Sequence, residues 1–399
     1  MSSLSNISAD LKQYLVVTTN YWAFTLTDGA LRMLVILYFH QLAYSPIEIA
    51  MLFLFYEFFG VVTNLLGGWL GARLGLNVTM NIGLAIQIIA LCMLLVPTSM
   101  LTVVWVMIAQ ALSGIAKDLN KMSAKSSIKA LVPDDAQGRL FKWVAILTGS
   151  KNALKGLGFF LGGLLLTAFG FGQAILIMAS GLFVIWIFSL VMLKSNTKQT
   201  SSKAKFSEIF SKSSSINTLS TARFFLFGAR DVWFVVAVPV FLSQNLGWEH
   251  SSVGAFFACW VIAYGLIQSF APRIIASKKG HIASDIVTAW AFSLALVALA
   301  ITVAVFKEYQ IAYSLVLCLM LFGAVFAINS SLHSYLIVSY STADSVSMDV
   351  GFYYMANAMG RLIGTILSGL LFQQFGLPAC LMASTLFLIA ATLMSRKLP

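Results

Sequence analysis

Residues 143–169 read WVAILTGSKNALKGLGFFLGGLLLTAF, and this stretch decides the fold. A helix needs about 20 apolar residues, at about 1.5 Å each, to cross a bilayer, and this run is long enough. Two lysines, Lys151 and Lys155, stand one helical turn apart near its middle. A cation at that depth costs about 2.5–3.5 kcal/mol on insertion scales, so it is rare unless it has a task. Arg361 takes the same place in a second such run, Val350 to Phe372. Cations held at mid-membrane in both halves of a chain point to an anion. Anion transport is therefore the first functional expectation.

Similar runs fill the rest of the chain. Of its 399 residues 59% are hydrophobic and 10% are charged, against about 25% charged in a soluble protein. The apolar pattern predicts twelve spans, at 14–39, 47–71, 78–97, 101–124, 143–169, 172–193, 219–242, 251–276, 284–306, 311–338, 350–373 and 378–395. No polar stretch between them is long enough for a soluble enzyme domain. The formal charge of +11 sits in alternate loops or inside spans, with no interleaving of basic and aromatic residues on a polar surface. Nucleic acid is therefore not an expected partner. Cys92, Cys259, Cys318 and Cys380 fall singly in four spans without metal or disulfide spacing, and the N-terminus lacks a signal-peptide pattern. There is no phosphate-binding loop of the G-x-x-x-x-G-K-[ST] kind, and no cofactor is called for.

The stretch Lys194 to Asn217, rich in Ser and Lys, reads as a solvated linker between two six-helix bundles. The even-numbered connections hold Arg73, Lys129, Arg139, the linker lysines, Lys278 and Lys279; the odd-numbered ones hold Lys307. Lys12, Arg396 and Lys397 mark the two ends. This bias places both termini and the linker in the cytoplasm. A shift of 206 positions lays Lys155 on Arg361, Gly158 on Gly364, Gly163 on Gly369 and Leu164-Leu165 on Leu370-Leu371. Parallel six-helix repeats are a transporter architecture with the substrate site at the midplane.

Charges within the spans define the candidate site. Asp28 and Arg32 lie at i and i+4 and can neutralise each other. Glu57 has no basic residue within a helical turn and is a candidate proton carrier. Lys121 and Lys125 sit close enough to a span end to snorkel; Lys117 lies one turn deeper. Arg223 reads as an interfacial anchor. Lys151, Lys155, Arg230 and Arg361 lie roughly 15–20 Å from the cytoplasmic ends of their helices, beyond a side chain's reach. The acids Asp28, Glu57 and Asp231 are too few to neutralise them. The expected result is a water-filled cavity of positive potential that attracts phosphates or carboxylates, with arginine offering bidentate recognition of an oxyanion. Asn120, Asn152, Asn329, His333 and Asn357 are polar groups suited to hydrogen bonds between helices.

Three patches resemble the major facilitator superfamily. Gly68-Trp69-Leu70-Gly71-Ala72-Arg73-Leu74-Gly75 resembles its G-x-L-A-D-R-x-G-R loop, with Ala72 in place of the acid and Leu76 in place of the second arginine. Pro133-Asp134-Asp135-Ala136-Gln137-Gly138-Arg139 resembles the turn before the fifth helix. Gly158-Phe159-Phe160-Leu161-Gly162-Gly163 resembles the antiporter motif, with Phe159 in place of proline. A closer resemblance, to the ArsJ-type organoarsenical efflux permeases, covers most of the chain. It is carried by Asn20 to Arg32 (NYWAFTLTDGALR), Phe53 to Gly60 (FLFYEFFG), Ser113 to Ser127 (SGIAKDLNKMSAKSS) and Gly149 to Gly156 (GSKNALKG). The resemblance implies export of 1-arseno-3-phosphoglycerate, an unstable ester formed when glyceraldehyde-3-phosphate dehydrogenase accepts arsenate. Such a substrate carries negative charge at both ends. Pentavalent arsenic also has no need of clustered thiolates, which fits the scattered cysteines.

The expectation is an all-α integral membrane protein of the bacterial inner membrane, with twelve transmembrane helices in two pseudo-symmetric bundles. Residues 1–193 form the first bundle, 194–217 the linker and 218–399 the second. Lys117, Lys121, Lys151, Lys155, Arg32, Arg230 and Arg361 are the expected anion contacts, in a cavity between the bundles. Asp28, Glu57 and Asp231 are expected to balance charge or carry protons. The expected partners are a small anionic substrate, membrane lipid and, functionally, the dehydrogenase that supplies the ester. The alternatives are an importer or exchanger of phosphorylated metabolites, or an intramembrane enzyme acting on lipid phosphates. The latter needs a nucleophile or metal cluster near the cations, and none is evident.

Overall fold

No water satisfies backbone polar groups inside a bilayer, so a chain of this composition must close its hydrogen bonds within helices. The structure, a computed structural model, describes residues 9–44, 52–131, 137–193, 213–248, 250–275, 284–307, 311–342 and 344–399. Among these the chain forms eleven α-helices and no strand. They are α1 (Ala9–Gln41), α2 (Leu54–Leu74), α3 (Leu76–Met93), α4 (Val103–Leu131), α5 (Gln137–Met192) and α6 (Ser214–Phe234). There follow α7 (Ala237–Gln244), α8 (His250–Ile274), α9 (Ser284–Phe306), α10 (Ile311–Tyr340) and α11 (Val346–Ser395). The turn at 132–136, the linker at 194–212, and Lys278 and Lys279 lie outside the described residues.

Eight helical stretches are long and apolar enough to cross a membrane. Two of these, Arg139–Met192 with 54 residues and Val346–Ser395 with 50, are each long enough for two crossings. Together with the more polar α2 and α4, they account for the twelve spans expected. Each long helix bends at one glycine: Gly170 (φ 74°, ψ 174°) in α5 and Gly376 (φ 73°, ψ −171°) in α11. Only glycine adopts that backbone region without strain. The two bends are separated by the same 206 positions that align Lys155 with Arg361, so the repeat extends beyond the segment that first revealed it.

The seventh expected span, 219–242, is interrupted. Pro239 has no N–H and its ring conflicts with a helical carbonyl four residues back; α6 ends at Phe234 and α7 begins at Ala237. The Ala237 N–H donates to Ser368 Oγ at 3.1 Å, which restores one of the bonds the break removes.

The burial pattern is the reverse of a soluble protein's. Phe160, Val184, Val191, Tyr313, Leu317 and Leu386 are well exposed, whereas Asn20, Gln87, Asp118, Asn120, Gln268 and Asn329 are buried. Lipid is the solvent that rewards such an arrangement. Interior polar groups link helices: Asn20 Nδ2 donates to Ser189 Oγ at 2.8 Å, and Trp260 Nε1 donates to the Leu319 carbonyl at 2.9 Å. Bonds of this kind in membranes contribute about 0.6 kcal/mol on average.

The chain folds as two compact units. One comprises Met1–Asp135, Ser150–Phe210 and Ser341–Phe352; the other comprises Ala136–Gly149, Ser211–Tyr340 and Tyr353–Pro399. In the first, Ser347 Oγ donates to the Gly68 carbonyl at 2.7 Å, and Gly351 packs against Gly68. In the second, Gly149 packs against Gly265 and Ser269.

Candidate functional site

In the first unit, glycines set the placement of the charges. Gly29 of α1 meets Gly158 of α5 so closely that a Cβ on Gly29 would lie 2.7 Å from the Lys155 carbonyl oxygen. A Cβ on Gly158 would lie 2.6 Å from the Leu26 carbonyl oxygen. This crossing brings the Asp28–Arg32 turn of α1 beside Lys155. A second close approach sets α4 against α2, where a Cβ on Gly114 would lie 2.7 Å from the Tyr56 carbonyl oxygen.

Tyr56 stands at the centre of the resulting cluster. Its hydroxyl donates to both carboxylate oxygens of Asp28, at 2.8 and 3.0 Å. The Arg32 guanidinium lies over its ring at 4.6 Å and the Lys117 ammonium at 3.8 Å. Arg32 Nη2 also reaches Glu57 Oε1 at 3.4 Å. Asp118 holds Lys121 at 2.5 Å and stands 4.0 Å from Lys117. Lys155 lies 5.9 Å from the Phe159 ring centroid and within electrostatic reach of Arg32, Asp28, Lys151 and Lys117. Among the described residues no carboxylate forms an ion pair with it.

Three expectations change here. Glu57 is not an isolated carboxylate: its partner, Arg32, comes from another helix, which spacing along α2 cannot reveal. Asp28 is engaged by Tyr56 as well as lying one turn from Arg32. Lys121 and Lys125 do not snorkel: α4 continues to Leu131, Lys121 pairs with Asp118, and Lys125 is only 2% exposed. Tyr56 and Asp118 were missed as organising residues. Their signal was proximity in sequence, Tyr56 beside Glu57 and Asp118 between Lys117 and Lys121.

The second unit repeats the crossing with other side chains. A Cβ on Gly364 of α11 would lie 2.6 Å from the Gly228 carbonyl oxygen of α6. That approach puts Arg361 against Asp231, which is fully buried. Arg361 Nε donates to Asp231 Oδ2 at 2.9 Å, and Arg230 donates from Nε and Nη2 to Oδ1 at 2.5 Å. One carboxylate thus holds two guanidinium groups. Arg230 also packs over Phe227, Phe234 and Phe326.

Arg223 is not the interfacial anchor that its position suggested. α6 begins at Ser214, so Arg223 lies about 14 Å into the helix by rise per residue, and it is 3% exposed. Its Nε donates to Asn357 Oδ1 at 2.8 Å, and its Nη1 to the Ser330 carbonyl and hydroxyl, each at 3.2 Å. Asn357 is thereby drawn into the site. Asn329 instead bonds to the carbonyls of Trp290 and Val325, the helix-linking role expected of it.

Chemically, both clusters suit the recognition of negative charge: cations outnumber acids, and several cations sit on aromatic faces. Comparison with known proteins accords with the fold. No curated protein sequence matches the chain. Among solved structures, the human organic anion transporter MFSD10 superposes with a TM-score of 0.77 at 15% identity, covering 98% of this chain and 100% of that one. A bacterial homologue of the iron transporter ferroportin gives 0.75 at 13% identity, with 98% and 99% covered. The E. coli fucose:proton symporter gives 0.73 at 10%, with 98% and 99% covered. The sequence pattern of the Major Facilitator Superfamily matches residues 14–282 and again 219–399, and the chain belongs to that superfamily of multi-pass membrane transporters.

Proposed function

We propose that this transporter exports an anionic organoarsenical, 1-arseno-3-phosphoglycerate, across the bacterial inner membrane by secondary active, alternating-access transport, and so confers arsenate resistance. The fold does not choose the substrate, since it serves an organic anion transporter and a fucose:proton symporter alike. The observation that carries the anion is Lys155: a deep cation within electrostatic reach of three others, Arg32, Lys151 and Lys117, and of one acid, Asp28, with no carboxylate ion-paired to it among the described residues. Bringing a dianion to such a cluster offsets repulsion that the protein otherwise sustains. The arsenic rests on the resemblance of the charge-dense stretches Ser113–Ser127 and Gly149–Gly156 to the organoarsenical permeases. In this reading Lys117, Lys121, Lys151, Lys155 and Arg32 contact the anion in the first unit, and Arg230 and Arg361 in the second. Asp28, Glu57 and Asp231 balance charge or carry the coupling proton.

The test uses everted membrane vesicles supplied with arsenate, glyceraldehyde-3-phosphate dehydrogenase and its substrates. Arsenic should accumulate only when the enzyme is present. Accumulation should vanish in Lys155→Ala and in Arg361→Ala while both proteins insert normally. Unimpaired transport in both variants would sink the site assignment. Exchange of phosphorylated metabolites without enzyme-dependent arsenic uptake would identify the chain as a carrier of phosphorylated metabolites instead.

A further inference from the structure

The arginines of the second unit differ in one respect that bears on substrate binding. Arg230 and Arg361 share the Asp231 carboxylate, whereas Arg223 has only neutral partners among the described residues. A buried cation without a counter-charge is costly, because neutral dipoles recover only part of the lost hydration. Arg223 Nε is occupied by Asn357 and Nη1 by Ser330; Nη2 has no acceptor among the described residues. The guanidinium lies over Phe227, 3.8 Å from the ring centroid, and 5.2 Å from that of Tyr353. Its charge is felt at Tyr264, His333, Tyr353 and Tyr354. His333 is 1% exposed and its Nδ1 has no hydrogen-bond partner among the described residues. The surroundings therefore hold hydroxyls, an imidazole and a fixed guanidinium; the acid that also acts on Tyr264, Asp231, is already ion-paired to Arg230 and Arg361.

We propose that Arg223 is an anion-recognition residue, binding a phosphate-like oxyanion group of the transported substrate through Nη2, with His333 and the neighbouring tyrosine hydroxyls as further contacts. This rests on the reading of the chain as an anion transporter and adds a residue to it. Asn357 and Ser330 are positioning residues: they take the other guanidinium donors and fix the plane in which Nη2 points. Arg230 and Arg361 already share one carboxylate, so Arg223 offers an anion the less compensated positive charge.

The experiment measures thermal stabilisation of the purified full-length protein in lipid nanodiscs against inorganic phosphate, 3-phosphoglycerate and, as a neutral control, glycerol. Wild type should be stabilised by the anions and not by glycerol. Arg223→Gln should raise the half-saturating concentration at least about tenfold, the loss of one charge-assisted contact, and Arg223→Lys should fall between. If Arg223→Gln lowers the baseline melting temperature but leaves half-saturation unchanged, Arg223 is a structural staple and the proposal fails. If wild type responds to neither anion, the transport reading fails together with this one. Should Arg223→Gln not yield folded protein, phenylglyoxal labelling of wild type decides by peptide mass spectrometry. Anion-dependent protection of Arg223 supports the proposal. Equal labelling with and without anion, or no labelling in either case, overturns it.

Discussion

The crossing of α1 with α5 and the crossing of α6 with α11 use the same backbone device with opposite electrostatic results. Gly29 meets Gly158 in one, Gly228 meets Gly364 in the other, and a cation stands three residues before the second glycine in each: Lys155 and Arg361. The difference lies three residues beyond the first glycine. There α1 carries Arg32 and α6 carries Asp231. Arg361 is therefore ion-paired at 2.9 Å, whereas Lys155 has no ion pair among the described residues and lies within electrostatic reach of both Arg32 and Asp28. A repeat can thus conserve the approach of two helices while one substitution decides whether the cation beside it is held or left available. Arg223, seven residues before Arg230, restores an uncompensated cation to the unit whose crossing lost one.

The largest effect should come from Asp231→Asn. It leaves two part-buried guanidinium groups, 14% and 32% exposed, without the buried carboxylate they share, and the cost should be about 3 kcal/mol, the lower end for breaking a buried pair. Denaturation of the detergent-solubilised protein checks it; a loss below about 1 kcal/mol would mean that the second unit does not depend on its acid. Next is Lys155→Ala, expected to lower the vesicle transport rate by about 100-fold, within the range for removing one member of a buried charge contact. Lys155→Arg should recover part of that rate, because the charge matters there more than the shape. The glycine crossings should respond alike. Gly158→Ala and Gly364→Ala each force a backbone shift costing about 1–3 kcal/mol, read as a fall in melting temperature. A loss in only one would show that the two crossings are less equivalent than their geometry. Glu57→Gln should have the smallest effect on stability, under about 1 kcal/mol, because Arg32 and Glu57 remain 24% and 34% exposed. A larger loss would mean that Glu57 does for the first unit what Asp231 does for the second.

Much of this was legible in the sequence, because membrane helices announce themselves by length and composition, and because a deep lysine has few innocent explanations. The 206-position offset was also legible, from Lys155 and Arg361 with their following glycines. Partners on other helices were not. Nothing in the spacing of α2 reveals that Glu57 meets Arg32, or that Tyr56 rather than Arg32 alone engages Asp28. Arg223 was misread because the start of its helix was placed five residues late. Polar Ser214, Ser215 and Asn217 look like loop residues, yet they form the first turn of α6. The interruption at Val235–Val236 was missed because Pro239 acts on a carbonyl four residues upstream, inside an otherwise uniform apolar run.

The glycine bends have a practical consequence. Gly170 and Gly376 each break the helix with a single residue between helical neighbours, so neither joint offers a protease the extended segment it must thread into its active site. Limited digestion of the folded protein should spare both. A peptide tag inserted at either position should prevent expression. Each pair of crossings should behave, to the tools of a biochemist, as one uncut piece.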